Sequence, residues 1–458
     1  MARNVRIANA AGFWGDDLDA PARLLRQADD IQYLTLDYLA EVSMSILARQ
    51  MQKDPKAGYA SDFLHVLRSL VPIFQTGRRV RILTNAGGLN PRGCAAACAT
   101  ILRDAGCSGM RIAAIDGDDA LPFIDDSLKS GDVALLRHLD SGHAITTIAD
   151  RLMTANAYLG AGPIVEALQR NAHIVITGRV ADPSLTVGPA IAEFGWKSDD
   201  YASIAGATVA GHLIECGTQV TGGISTHWLD IPDPAHIGFP IVEISDDGSC
   251  VVTKPLHTGG RVTIETVKEQ LVYELGDPAA YLSPDATVSF LTLNVAQIGP
   301  DRVRVSGATG SPPPPNYKIS ATYRAGYRAV GLLTIVGPDA AAKARRCGEI
   351  ILQRLKEVNC APQRLRVECL GAGDAAPGIP IRADAQPPEV VLRIAVADDR
   401  REVLERFRSM IAPLVTAGPQ GTTGYADVAR PQVHEVFGYW PALIPRQCIV
   451  PRIEIVET

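Results

Sequence analysis

The sequence lacks any excess of positive charge: 44 Lys and Arg stand against 50 Asp and Glu, a formal net charge of −6 at pH 7. Proteins that neutralise phosphates collect a basic patch, so neither nucleic acid nor an anionic membrane is an expected partner. Long apolar runs are also missing. None approaches the roughly 20 residues that cross a bilayer as a helix. The start Met1-Ala2-Arg3-Asn4-Val5-Arg6 shows no apolar stretch followed by a small-residue cleavage site, so no signal peptide and no transmembrane segment are expected. The 9 cysteines are odd in number and include no Cys-x-x-Cys pair, with Cys94 and Cys98 four apart on an expected helix. A reduced, cytoplasmic compartment fits this usage.

Several reaction signatures are missing as well. There is no Gly-x-Gly-x-x-Gly loop and no Walker loop, so no motif implies a dinucleotide or ATP. Gly223-Ile224-Ser225-Thr226 lacks the last glycine of a nucleophile elbow, and no Ser-His-Asp triad can be argued. No low-complexity segment and no repeat of fixed period occurs, which excludes solenoids and propellers.

What the chain has is apolar material: 458 residues, 47% of them hydrophobic, enough for two domains. The first half repeats a β-branched run, a turn rich in Gly, Asn or Asp, and a helical stretch rich in Ala and Leu. Strands are expected at 5–9, 31–36, 80–84, 110–115 and 173–177, with 144–149 as a further candidate. Asn90 before Pro91, Asp182 before Pro183, and Asp19 mark helix starts. The expected fold is α/β, a doubly wound, mostly parallel sheet over 1–230, because parallel strands need long crossovers. From about residue 231 the texture turns to short strands and Pro-rich turns, with Ser311 and four following prolines as a stiff linker or edge loop. Beyond it, strands at 329–336, 365–370, 390–396 and 433–437 with helices at 339–358 and 400–414 give the order βαββαβ. That order is the ferredoxin-like, split-βαβ arrangement, so 231–458 is expected to be an α+β domain with this region at about 329–440.

In an open parallel sheet ligands bind beyond the carboxyl ends of the strands. The residues there are the candidates: Asn9 in NAAGFWGD, Asp37 and Glu41 in DYLAE, Asn85 to Gly93 in NAGGLNPRG, the acidic run Asp116, Asp118 and Asp119, and Arg179 with Asp182 in GRVADP. Gly87 and Gly88 permit close backbone approach, the helix after Asn90 offers free N–H groups and Arg92 adds a cation, so an anionic group would fit; the plain alternative is a glycine turn, a cap and a solvated Arg. Arg179 is either a second anion anchor or the ion partner of a capping Asp182. Asp37 and Glu41, four apart on an expected helix, would share a face and raise one pKa, suiting general acid or base work.

Asn156 and Tyr158, before a glycine turn, are donors for a carbonyl or hydroxyl. His212 and Glu215, three apart on a helix, are either a base and its partner or a fragment of a metal site without a third ligand; no metal is expected. Cys216 beside them is a nucleophile or an inert thiol. The glycine-dense run 418–425 is a loop, either a lid or only a turn.

NAAGFWGD at 9–16, DYLAE at 37–41, TNAGGLNPRG at 84–93, TGRVADPSL at 177–185, GTTGY at 421–425 and GYWPALIPR at 438–446 together resemble the acyclic terpene utilization family, AtuA, over nearly the whole chain. The resemblance implies a setting in bacterial breakdown of citronellol, geraniol and related branched chains through acyl-CoA intermediates. It carries over no catalytic residues. Some members have an additional C-terminal ferredoxin-like domain that this chain is expected to lack, which leaves room for a separately encoded small ferredoxin-like subunit as a partner.

Two readings follow. One is a cofactor-independent hydratase or lyase on a branched or terpenoid acyl-CoA, in which Arg92 and Arg179 hold anionic groups, the Gly87 and Gly88 amides steady an enolate, and Asp37, Glu41 or Glu215 moves protons, with Asn156 assisting. CoA enters only as part of the substrate, and Asn9, Asn85, Asn90, Tyr158 and Asp182 complete the binding set. The other is a non-catalytic partner subunit of an acyl-CoA-processing complex. A homo-oligomer is expected in either case.

Overall fold

Five short runs of Val, Ile, Leu and Ala lie almost wholly out of solvent, and runs apolar on both faces belong in a parallel sheet covered by helices. The computed structural model describes residues 4–378, 387–425 and 430–458. Its early strands are β1 (Asn4–Asn9), β2 (Tyr33–Leu36), β3 (Arg81–Thr84), β4 (Arg111–Asp116), β5 (Leu152–Ala157), β6 (Ile174–Thr177), β7 (Ile241–Ser245) and β8 (Cys250–Thr253). The parallel core runs β1, β2, β3, β6, β4. Antiparallel strands flank it: β7, β8, Arg302–Ser306 and Asn294–Gly299 beyond β1, and Arg452–Glu457 beyond β4. The molecule is thus mixed α/β, with a large, partly parallel sheet and no closed barrel among the described residues.

The chain forms two compact units, Met1–Thr322 with Tyr439–Thr458, and Tyr323–Gly438. Segment 231–322 adds antiparallel strands to the first unit's sheet. The long strand Asn316–Val336 carries the chain out of that unit and His434–Pro445 brings it back. In the second unit the sheet order is Arg364–Leu370, Glu389–Asp398, Asn316–Val336, Thr422–Tyr425, every pair antiparallel. Helices Ala340–Glu357 and Arg401–Ile411 bury Cys347, Ile351, Phe407 and Ile411 with Leu333, Ile335, Leu392 and Ile394 of the strands.

Three local expectations fail for identifiable reasons. Residues 144–149 form 3₁₀ turns, because the amides of Thr147 and Ile148 return to the carbonyls of Ala144 and Ile145. The strand there is β5, which pairs with Asn316–Val336, a partner too distant in sequence to be anticipated. The run 418–425 ends in a strand rather than a loop: the Val336 amide donates to Gly421 O at 2.9 Å and Thr423 Oγ1 to Thr334 O at 3.3 Å. Asp182 makes no side-chain cap, since the helix Ser184–Phe194 has Pro183 at its cap position. No helix among the described residues is long and apolar enough to cross a membrane.

Candidate active site

The carboxyl ends of β1, β2 and β6 open onto one cavity of about 440 Å³ in the first unit. Gly12, Phe13 and Asp16 come from the loop after β1, Asp37, Leu39 and Glu41 from that after β2, and Arg179 and Asp182 from that after β6. Glu215 to Gly223 follow the helix Tyr201–Ile214, while Tyr273 and Glu274 follow the helix Ile264–Val272. Six of the lining side chains are carboxylates (Asp16, Asp37, Glu41, Asp182, Glu215 and Glu274) and one, Arg179, is a cation. So many like charges cannot all ionise in a partly desolvated space, and some of these groups must hold protons near neutrality.

Asp37 is the most constrained. Its Oδ1 accepts from Asn85 Nδ2 at 2.6 Å and from the Leu39 amide at 3.3 Å, while Asn85 Oδ1 accepts from the Tyr38 amide at 2.7 Å. Those bonds, with the Asp37 amide on Ala11 O, fix an extended loop, so Asp37 and Glu41 do not share a helix; that helix begins at Ser43. Burial pushes the Asp37 carboxyl up to about 7, with Arg179 and the Asn85 bond pulling it down and the Glu215 charge pushing it further up. A group poised there can both take and give a proton at neutral pH.

Arg179 is only 2% exposed. Its Nη1 donates to Leu39 O, its Nη2 lies 3.4 Å from Asp182 Oδ1, and its guanidinium carbon stands 4.4 Å from the centre of the Tyr158 ring. Burial works against its charge, but Tyr158, Asp182, Asp37 and Glu41 outweigh that and raise its pKa. Half-buried Asp182 is pushed well above the carboxylate range by burial and by the Asp37 charge, against the pull of Arg179.

His212 and Glu215 form a hydrogen-bonded pair, Nδ1 to Oε1 at 3.0 Å. Burial would lower the imidazole's pKa, yet the Glu215 hydrogen bond and charge raise it; burial raises Glu215 against the same contact. His212 Nε2 and Glu215 Oε2 are buried with no hydrogen-bond partner among the described residues. Cys216 is pushed far above the usual thiol range by burial and the Glu215 charge, which disfavours a thiolate nucleophile. Among the described residues no group of three His, Cys, Asp or Glu side chains stands at metal-holding spacing.

The remaining candidates lie elsewhere or are taken up by the fold. Asn9 is fully buried, its Nδ2 donating to the carbonyls of Ile214 at 2.6 Å and Glu215 at 2.8 Å, so it positions the Glu215 backbone. Gly87 and Gly88 are packing residues: a Cβ on Gly87 would stand 2.6 Å from Thr177 O and one on Gly88 2.3 Å from Leu47 Cδ1. The Gly88 amide already donates to Asn85 O. Asn90 caps its helix through the Gly93 amide at 2.9 Å. Arg92 is ion-paired with Asp116 at 2.6 Å and Glu454 at 2.9 Å and lines a different cavity, of about 590 Å³, so it does not join Arg179 in one anion clamp.

Asn156 lines that other cavity too, donating to Asp118 Oδ2 at 2.9 Å. Asp118 also accepts from the Arg179 amide at 2.9 Å, and burial raises it to about 6 against those two bonds. Tyr158 lines a third cavity, which shares Asp182 with the carboxylate-lined one. Asp16, Tyr273 and Glu274 were not anticipated. Asp16 sits inside the flagged NAAGFWGD run, but Glu274 follows an ordinary helix and shows itself only in its left-handed backbone, φ 55°.

Gly12 explains how the cavity closes at its base. A Cβ there would stand 2.7 Å from the Cys216 carbonyl carbon and 3.0 Å from the Gly217 amide nitrogen, so only glycine lets the β1 loop lie on the segment after Glu215. The Gly12 amide then donates to Asp16 Oδ2 at 2.9 Å, turning that carboxylate toward the same space.

A family model described as "Acyclic terpene utilisation family protein AtuA" matches residues 5–455 of the 458. No curated protein matches the chain.

Proposed function

Given that this chain belongs to the acyclic terpene utilisation family AtuA, we propose that its carboxylate-lined cavity is the active site of a proton-transfer enzyme, a cofactor-independent hydratase or lyase acting on an apolar acyl thioester in that metabolism. One observation carries the reading: Asp37, Asp182 and Glu215 line one cavity at the ends of parallel strands together with the buried Arg179 guanidinium, which lies 3.4 Å from Asp182. Carboxyls whose environments split their proton affinities supply an acid and a base to the same substrate.

In this mechanism Asp37, held by Asn85 and the Leu39 amide, removes or delivers the proton through Oδ2, the oxygen that takes no part in those bonds. Glu215, hydrogen-bonded to His212, is the second proton carrier in the same cavity. Arg179 supplies the positive potential that steadies charge developing on a carbonyl oxygen; in a water-poor site such stabilisation contributes several kcal/mol. The excess of carboxylates sets a limit. Phosphates would be repelled here, so the carrier portion of a thioester stays outside, and Arg179 acts without Arg92, which lines a different cavity.

The test is solvent-proton exchange. Incubated in D₂O with saturated and α,β-unsaturated branched acyl-CoAs, the wild-type protein should place deuterium on the acyl chain of at least one of them, read by mass spectrometry of the hydrolysed acid. No incorporation with any thioester, together with co-purification of a pathway enzyme, would turn the assignment over to a non-catalytic subunit.

A further inference from the structure

The third cavity, about 310 Å³, is built differently from its neighbour. Its walls are largely apolar, with Leu139, Leu282, Pro284 and Leu443 among them, and Leu139 and Leu282 are 47% and 66% exposed. Exposed leucines beside a cavity are apolar surface left for a ligand to cover. Arg446 braces the wall by donating to Pro314 O at 2.8 Å and Pro284 O at 2.6 Å, with its guanidinium over Tyr317.

Among the described residues two charged side chains line this space, Lys318 and Asp182. The Lys318 ammonium lies 5.4 Å from the centre of the Tyr158 ring and 5.9 Å from that of Tyr439, and no carboxylate among the described residues forms an ion pair with it. Asp182 also lines the carboxylate-rich cavity, where Arg179 stacks on the other partner of the wall, Tyr158. The two spaces therefore meet at Asp182 and the Arg179–Tyr158 stack, one apolar with a free cation, the other polar and strongly acidic.

We infer that the two cavities hold one amphiphile: its negatively charged end rests on Lys318, its apolar chain runs over Leu139, Leu282 and Leu443, and its uncharged far end reaches past Asp182 into the carboxylate-lined space. The orientation follows from electrostatics, since an anionic end would be repelled by six carboxylates and attracted by an unpaired ammonium. For the proton transfer proposed above to use this pose, the uncharged far end must carry the carbonyl group that Arg179 steadies. This use of both spaces rests on that reading, while the binding does not.

The charged end is either a free carboxylate or the phosphates of a thioester carrier. Calorimetric titration of the full chain with octanoate, octanoyl-CoA, octan-1-ol and acetate separates these cases. Octanoate or its CoA ester should bind, whichever binds tighter naming the source of the charge, with octan-1-ol about tenfold weaker and acetate not at all. Lys318→Met, at an exposed position, should bring the anionic ligand down to the level of the alcohol, and Leu443→Trp should abolish both by filling the space. Equal binding of octanoate and octan-1-ol, or affinities that neither substitution changes, would overturn the inference. Because binding is the readout, failure of the deuterium assay leaves this result intact, and failure here leaves the proton-transfer reading to stand on its own.

Discussion

Asp37→Asn is expected to lower turnover by about 10²–10⁴-fold, the range that a positioned acid or base contributes, and at the same time to raise stability at pH 8. The two effects share a cause. Asn keeps an oxygen to accept from Asn85 and the Leu39 amide, so the loop survives, but it can carry no proton. The carboxyl's folded-state pKa, about 7, stands above its ordinary 3.8. A carboxyl raised in this way disfavours the folded state when ionised: it costs nothing below the ordinary value, the penalty grows as pH rises from about 4 to 7, and it is complete at pH 8. Asn carries no such penalty. Urea unfolding should therefore show the variant above wild type at pH 8 and level with it near pH 4. A variant that loses activity and stability together at both pH values would place Asp37 among merely structural residues.

Arg179→Met should cost about 3–5 kcal/mol of stability, the usual consequence of removing one partner from a buried ionic cluster. Methionine fills much of the same volume, which isolates the loss of charge. The substitution strips a donor from Leu39 O, removes the cation beside Asp182 and uncovers the Tyr158 ring. It also takes away the attraction that pulls down Asp37, Asp182 and Glu215. Their pKa values then rise further, so the loss should grow with pH across the neutral range and shrink in acid. Denaturant midpoints at pH 5 and pH 8 read this directly. An equal loss at both would mean that Arg179 acts by packing alone. Lysine should not rescue the fold, because one ammonium cannot span Leu39 O and Asp182 while stacking flat on Tyr158.

Strand ends were the legible part of this protein. Apolar runs placed β1, β2, β3, β4 and β6 within a residue or two, and the rule that parallel sheets bind ligands at their carboxyl ends named Asp37, Glu41, Arg179 and Asp182, while the three-residue spacing to His212 named Glu215; all five line one cavity. What the sequence could not show was how the polar residues divide. Asn9, Asn85 and Asn90 look like binding groups in the linear chain, yet each ties its amide to backbone or to a neighbouring carboxylate. Arg92 looked equivalent to Arg179 because both follow strands; the difference lies in Asp116 and Glu454, which pair with Arg92 across the antiparallel strand Arg452–Glu457. Glycines mislead in the same way, since Gly87 and Gly88 serve close packing against Thr177 and Leu47. Lys318 gave no signal at all, lying on a strand beyond the proline run where charge on an exposed position is ordinary.

The claim on which the rest depends is that Asp37 exchanges its proton near neutrality because burial outweighs the pull of Arg179. A carbon-13 NMR titration of protein labelled at the aspartate carboxyls, with Asp37→Asn identifying the signal, measures this without a substrate. The account predicts a midpoint at about 7 for Asp37. A midpoint near the ordinary 3.8 would contradict it, leaving a fixed counter-ion to Arg179 where the proton carrier is proposed.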